Sequence, residues 1–257
     1  MAVENIRFFE HDGLRFAYYE EGQGAPILLI HGFGSSARIN WYETGWFSCL
    51  IEAGYRVIAL DNRGHGDSDK SYNPSFYTPQ LMASDAAKLL QHLELSKAHV
   101  MGYSMGARIS AFMALLYPTY VHSVVFGGLG IGMVTGAGSW EPVAEALLAK
   151  DVSTITNSRG LMFRRFADKN KSDKHALAAC IMTSKQKLTK CEISQIKQPS
   201  LVAVGSLDEI GGEAKPLAAL LPNGEALQIP NRNHMLAVGD KMYKKSVIDF
   251  LARFPII

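Results

Sequence analysis

The sequence predicts an α/β fold: a mostly parallel, eight-stranded sheet with helices on both faces and an inserted helical cap. Three observations lead there. Short strand-like runs alternate with longer segments of helical spacing along most of the chain, the pattern of units that bury a parallel sheet between two layers of helices. The alternation lapses once, between about residues 127 and 199, where helix follows helix with no convincing strand. With 257 residues, 47% of them hydrophobic and 19% charged, the chain is long enough for one large core that needs no disulfide or metal staple.

Each element has its own local reason. Residues 6–10 and 14–20 are β-rich and flank His11-Asp12-Gly13, where Asp-Gly marks a hairpin. Gly22-Gln23-Gly24 marks a second turn. Residues 26–30 are apolar throughout and short, as a buried strand is. Residues 43–53 read as a helix ending near Gly54, and 56–60 as the next strand. Over 79–93, Leu81, Met82, Ala86, Leu89, Leu90 and Leu93 recur at helical spacing, with Pro79 in the first turn. A strand at 98–101 leads into an apolar helix at 105–117, stopped by Pro118. Strands follow at 121–126, 200–204 and 226–229, and an amphipathic helix at 241–254 closes the chain. The expected division is a core of residues 1–127 and 198–257 with a cap of residues 128–197.

Composition excludes a disordered chain, a collagen-like repeat and a disulfide scaffold. A net charge of +2 is too small to imply a nucleic-acid partner. Cys49, Cys180 and Cys191 form no Cys-x-x-Cys pair and have no histidine at metal-ligand spacing, so they read as reduced cytoplasmic thiols. Glu4 and Glu10 interrupt the first residues, so no signal-peptide run is expected. No stretch of about 18 apolar residues predicts a membrane span. The cap is unevenly charged: residues 150–197 carry 11 basic and 4 acidic side chains, while the remainder of the chain is net acidic. That pattern is either a solvated helical surface or a field that attracts anionic substrates.

The chemistry centres on Gly102-Tyr103-Ser104-Met105-Gly106, a G-x-S-x-G motif between a strand and a helix. In that setting a sharp turn lifts a serine hydroxyl clear of the sheet at a helix N-terminus. A serine needs a base to take its proton, and the base needs an acid to fix its tautomer. Of eight histidines, His31 and His65 lie in glycine-rich loops and read as braces. His11, His92, His99, His122 and His175 fall at turns, helix ends or the cap. His234 lies in the loop between the last strand and the last helix, at the sheet edge where open α/β folds bind ligands. Asp208 follows the strand at 200–204 and emerges at the same edge, with Glu209 as its neighbouring rival. The order Ser104, Asp208, His234 is the one this arrangement requires. Backbone N–H groups of Met105 and of Phe33, in His31-Gly32-Phe33-Gly34, are the candidate oxyanion donors.

These segments, with Asp61-Asn62-Arg63-Gly64-His65-Gly66-Asp67-Ser68, Gly205 and Asn233-His234, resemble the α/β-hydrolase family over nearly the whole chain, in the family's order. The likeness is to small, single-cap serine esterases and lactonases. It implies a Ser-Asp-His hydrolase of a small ester or lactone substrate, with no metal or organic cofactor and no membrane or nucleic-acid partner. It implies a structural loop for residues 61–68, without catalytic roles for Asp61, Arg63 or His65. Epoxide hydrolases and dehalogenases of this fold carry aspartate where this chain has Ser104, so those chemistries are not expected. Hydrolysis of a C–C bond in a diketone-type substrate, and slow ligand sensing, are the alternatives. The apolar cap residues Met133, Trp140, Met162, Phe163 and Phe166 are candidates for a substrate pocket or for core packing.

Overall fold

Strand pairing shows first how the sheet is wound. The computed structural model describes residues 6–256. The strands are β1 (Ile6–His11), β2 (Leu14–Glu21), β3 (Ala25–Ile30), β4 (Tyr55–Leu60), β5 (Ala98–Tyr103), β6 (Val121–Gly127), β7 (Ser200–Gly205) and β8 (Gly224–Ile229). They form one sheet in the order β1-β2-β4-β3-β5-β6-β7-β8. β1 pairs antiparallel with β2, and β2 antiparallel with β4; every other pairing is parallel. All eight expected strands are present. The chain winds from β3 outward to β4, then returns to the other side of β3 as β5. The crevice beyond the carboxyl ends of β3 and β5 is therefore the topological switch point, where open α/β sheets bind ligands.

The helices are α1 (Trp46–Glu52), α2 (Pro79–His92), α3 (Met105–Leu116), α4 (Gly132–Thr135), α5 (Glu141–Leu148), α6 (Ser158–Lys169), α7 (Lys174–Thr183), α8 (Lys190–Gln195), α9 (Ala214–Ala218), α10 (His234–Ala237) and α11 (Lys241–Ala252). The helix expected over 43–53 is shorter. A π-helical turn occupies Arg38–Tyr42, and Gly45 takes a φ of 76° just before Trp46. That left-handed residue separates the two helical pieces. His99 and His122 correct the expectation of turn, helix-end or cap positions: both stand in strands, β5 and β6, with His99 Nδ1 2.7 Å from Ser123 Oγ.

Burial on both faces explains why the central strands read as unbroken apolar runs. Leu28 and Ile30 of β3, with Ile58 and Leu60 of β4, join the core on the side of α2 and α3. Ile27, Leu29, Val57 and Ala59 point the other way, into a core shared with α1 and α11. There Trp46 meets Tyr243 edge-on at 5.1 Å, and its indole N–H donates to the Val238 carbonyl at 2.7 Å.

Between β6 and β7 the described chain holds α4 to α8 and no strand. α5 packs on α6 and α7, and α7 rests on the 3-10 turn Pro74–Tyr77. The helix starts are written into the sequence: Asn157 caps α6, Asp173 caps α7, and Thr189 with Glu192 forms a capping box on α8. No helix among the described residues is long and apolar enough to cross a membrane.

The loop after β4 is held by charge. Arg63 Nε and Nη2 donate to the two carboxylate oxygens of Asp85 on α2, both at 2.7 Å, with each side chain about 1% exposed. Arg63 also donates to the Phe76 carbonyl. Asp85→Ala leaves this buried guanidinium with only the exposed Asp12 carboxylate, 3.9 Å away, as counter-ion and is expected to cost about 3 kcal/mol or more in urea unfolding. Arg63→Met combined with Asp85→Leu is expected to restore most of that loss; a double variant as unstable as Asp85→Ala would contradict the account.

Candidate active site

Ser104 sits at the β5–α3 junction with φ 56° and ψ −110°, a backbone state that side-chain-bearing residues seldom adopt. The turn is tight because its flanking glycines have no room for a side chain. A Cβ on Gly106 would overlap the carbonyl oxygen of Ile30 at the end of β3, and one on Gly102 would overlap the carbonyl of Gly106. The serine N–H donates to the Gly127 carbonyl at 2.7 Å, tying the turn to β6.

The other two residues arrive from strands further along the sheet. Asp208 lies in the turn after β7, and its Oδ1 accepts the N–H groups of Ile210 (2.9 Å) and Gly211 (2.8 Å). Its Oδ2 lies 2.8 Å from His234 Nδ1. Burial pushes this carboxyl up, but the imidazole and the two backbone donors outweigh burial and hold it below the ordinary carboxylate range. An ionised carboxylate only accepts, so Nδ1 carries the proton and Nε2 is free to accept. His234 Nε2 lies 2.9 Å from Ser104 Oγ. Glu209, the rival acid, makes no such contact among the described residues.

Tyr103 is a participant that sequence reasoning missed. Its buried hydroxyl donates to the His234 carbonyl at 2.7 Å, and its ring lies 5.6 Å from the imidazole. The residue before the serine thereby braces the loop that delivers the histidine. The variable position in G-x-S-x-G gave no hint of this. Asn40 is a second such residue: its Oδ1 accepts the Gly32 N–H at 3.0 Å and holds the loop after β3 in place. The N–H groups of Phe33 and Met105 donate to no described residue, and both residues line cavities that open on Ser104. His31 and His65 are braces. His31 Nε2 accepts the Asn62 N–H, and Asp61 accepts the N–H groups of Ala37 and Asp67.

Two cavities flank Ser104. One, of about 160 Å³, is walled mainly by Phe33, Tyr103, Phe163, Phe166, His234 and Val238. The other, of about 300 Å³, is walled by Met105, Arg108, Leu129, Trp140, Lys185 and Lys187 among others. Of the five apolar residues considered for a pocket, Trp140, Phe163 and Phe166 line these cavities; Met133 is fully buried in the core and Met162 packs against it.

Residues 25–160, just over half of the chain, match the model of the alpha/beta hydrolase fold family. The chain belongs to the α/β-hydrolase fold family. A protein of Mycobacterium tuberculosis named as a non-heme bromoperoxidase is 29% identical to this α/β-hydrolase over 246 residues, 86% of this chain and 91% of that one. A 2-hydroxy-6-oxononadienedioate/2-hydroxy-6-oxononatrienedioate hydrolase of Escherichia coli is 36% identical over 126 residues, 46% of this chain and 41% of its own. The crystal structure of a hydrolase from Pseudomonas aeruginosa shares the fold with a TM-score of 0.78 at 23% identity, covering 96% of this chain and 98% of that one.

Beneath the site, burial pushes the His65 imidazole down to about 4 and takes His31 well below its ordinary value, so both are neutral in the fold. The unfolded chain takes up a proton on each near pH 6.5. The stability each contributes is complete above about pH 6.5 and is lost as pH falls below it, for His65 over the interval down to about 4. In urea unfolding, the wild type is expected to lose stability relative to His65→Gln between pH 6.5 and 4.5. A difference independent of pH over that interval would contradict a buried neutral His65.

Proposed function

We propose that this chain is a serine hydrolase of small carboxylic esters or lactones, acting through an acyl-enzyme. The observation that carries this reading is the continuous run of hydrogen bonds from Asp208 through His234 to Ser104, 2.8 and 2.9 Å long. His234 Nε2 takes the Ser104 proton as Oγ attacks the carbonyl carbon of the substrate. The carbonyl oxygen becomes an oxyanion and accepts hydrogen bonds from the Phe33 and Met105 N–H groups. When the tetrahedral intermediate collapses, the C–O bond to the alcohol breaks and His234 gives that alcohol its proton. Water then attacks the acyl-enzyme by the same route and releases the carboxylate with Ser104 restored. Asp208 keeps the imidazole in the tautomer that accepts from serine and stabilises its charged form.

The two cavities support a substrate with two unlike ends, one apolar end resting against Phe163 and Phe166. Nothing in this route calls for a metal or an organic cofactor, a nucleic acid or a membrane. The helical segment between β6 and β7 acts as the cap over the site in this reading, since Phe163, Phe166, Trp140 and Lys185 all reach the cavities from it. Three free cysteines fit a cytoplasmic protein.

A fluorophosphonate probe is expected to label the wild type, and Ser104→Ala to abolish both labelling and turnover of p-nitrophenyl esters from acetate to dodecanoate. His234→Ala is expected to lower kcat by about 10⁴-fold or more with the melting temperature little changed. Labelling that survives Ser104→Ala would overturn the nucleophile. Labelling with no turnover of any ester or lactone would move the reaction to another bond, such as the C–C bond of a diketone.

A further inference from the structure

The larger cavity beside Ser104 has an imbalance of charge that ester hydrolysis as such does not use. Arg108, Lys185 and Lys187 line it, and no aspartate or glutamate does. Arg159 adds a fourth cation close by, with its guanidinium carbon 5.0 Å from the centre of the Trp140 ring. Among the described residues none of these four side chains forms an ion pair.

The cations differ in what they already hold. Arg108, one helical turn beyond Ser104, donates to the carbonyls of Met133 (3.0 Å), Gln186 (2.7 Å) and Gly132 (3.4 Å), so it ties the cavity wall to α3. Arg159 donates to the Ala137 carbonyl. Lys185 donates to no described residue. Its ammonium stands 3.8 Å from the centre of the Trp140 ring and 5.5 Å from that of Phe33, the residue that also offers an oxyanion N–H. The aromatic faces steer the ammonium by cation–π attraction but leave its three N–H donors unspent. An unpaired cation held in a cleft among other cations is unfavourable unless an anion joins it.

We propose that Lys185 is the specificity anchor of this site and binds a carboxylate carried by the substrate, so that the preferred substrates are half-esters of short dicarboxylic acids or the corresponding carboxylated lactones. This rests on the serine hydrolase reading above. The carboxylate lies in the cationic cavity, the scissile carbonyl at Ser104, and the uncharged alkyl end in the cavity of Phe163 and Phe166. One ammonium with free donors matches a monoanion; Arg108 contributes field and wall rather than a second open fork.

The charge on Lys185 depends on pH in the working range. Burial, then the neighbouring Arg108, pull its ammonium down to about 7. The groups facing it are Arg108 on α3, Arg159 on α6, Cys180 on α7, Lys187 on its own loop and His65 on the loop after β4. Burial pushes the Cys180 thiol up to about 12, and His65 is neutral above about pH 4, so neither changes charge between pH 6 and 9. Carboxylate selection is therefore present below about pH 7 and declines above it.

The test compares monoethyl and diethyl esters of succinate through suberate, with kcat/KM measured from pH 6 to 9. The wild type is expected to favour at least one half-ester over its diester by tenfold or more at pH 6, through KM, and to lose that preference toward pH 9. His234 affects both substrates alike and cancels in the ratio. Lys185→Gln is expected to remove most of the preference at every pH, and Lys185→Arg to keep it and make it independent of pH. Absence of any preference in the wild type, or equal losses on both esters in Lys185→Gln with an unchanged melting temperature, would overturn the anchor. A second readout needs no turnover. In Ser104→Ala, calorimetry with the monoethyl esters is expected to show binding that Lys185→Gln weakens tenfold or more, against a smaller change for the diethyl esters. Wild type that turns over neither these esters nor any p-nitrophenyl ester or lactone would overturn the serine hydrolase reading, while turnover of p-nitrophenyl esters with equal calorimetric losses on both esters in Lys185→Gln would overturn the anchor alone.

Discussion

The approach of Gly106 to the carbonyl oxygen of Ile30 governs where everything else at the site stands. Because no side chain fits at that contact, α3 presses its first turn against the end of β3, and the chain leaving β5 has to double back within one residue. Ser104 absorbs the reversal with a positive φ. Its hydroxyl is left above the sheet, beside the N–H of the residue that follows and opposite the loop from β3. The strain is tolerated because β5 and β3 lie in the middle of the sheet, buried on both faces, where a shift of backbone would disrupt two cores at once.

From that fixed point the site divides by distance along the sheet. β3 and β5, neighbours at the switch point, bring Phe33 and Ser104 together. β7 and β8, on one flank, bring Asp208 and His234. The flanking pair needs its own support, and it comes from short polar contacts: two backbone donors on Asp208 and the Tyr103 hydroxyl on the His234 backbone. The segment between β6 and β7 contributes side chains that differ by side of the serine, Phe163 and Phe166 toward the histidine, and Lys185 and Lys187 with Trp140 toward α3.

Much of this was legible in the residues, and what was not has physical reasons. All eight strands could be read because apolar runs and turn residues agree in this chain. Ser104, Asp208 and His234 stood out because each follows a strand at the same sheet edge. The helix expected at 43–53 was misjudged because Gly45 could have ended a turn or sat within one; only its left-handed conformation decides. Tyr103, Asn40 and Lys185 carried no signal of their own. Tyr103 and Lys185 reach partners remote in sequence, Tyr103 a carbonyl 131 residues away and Lys185 the rings of Trp140 and Phe33, while Asn40 meets Gly32 only because the π-helical turn folds back on the loop after β3. The basic segment looked like one surface, yet the structure divides it, with Arg164 and Lys174 paired to Asp168 and Lys185 left facing a cavity.

The spread of the site along the chain also bears on how the molecule is assembled. Ser104 and His234 are separated by 130 residues, and their contact exists only once β7 and β8 have joined the sheet at its flank. The pairing of β6 with β7, Val124 against Ser200, closes a long loop before it gains any contact, and it needs residues that leave the ribosome well after β5 and α3. The turn that holds Ser104, by contrast, is built from β3, β5 and α3, all of which precede residue 117 in the chain. A nascent chain can therefore hold the strained Ser104 turn with no imidazole beside it. His234 arrives with the last strands, so the hydrogen-bonded arrangement of Ser104, His234 and Asp208 coincides with completion of the sheet.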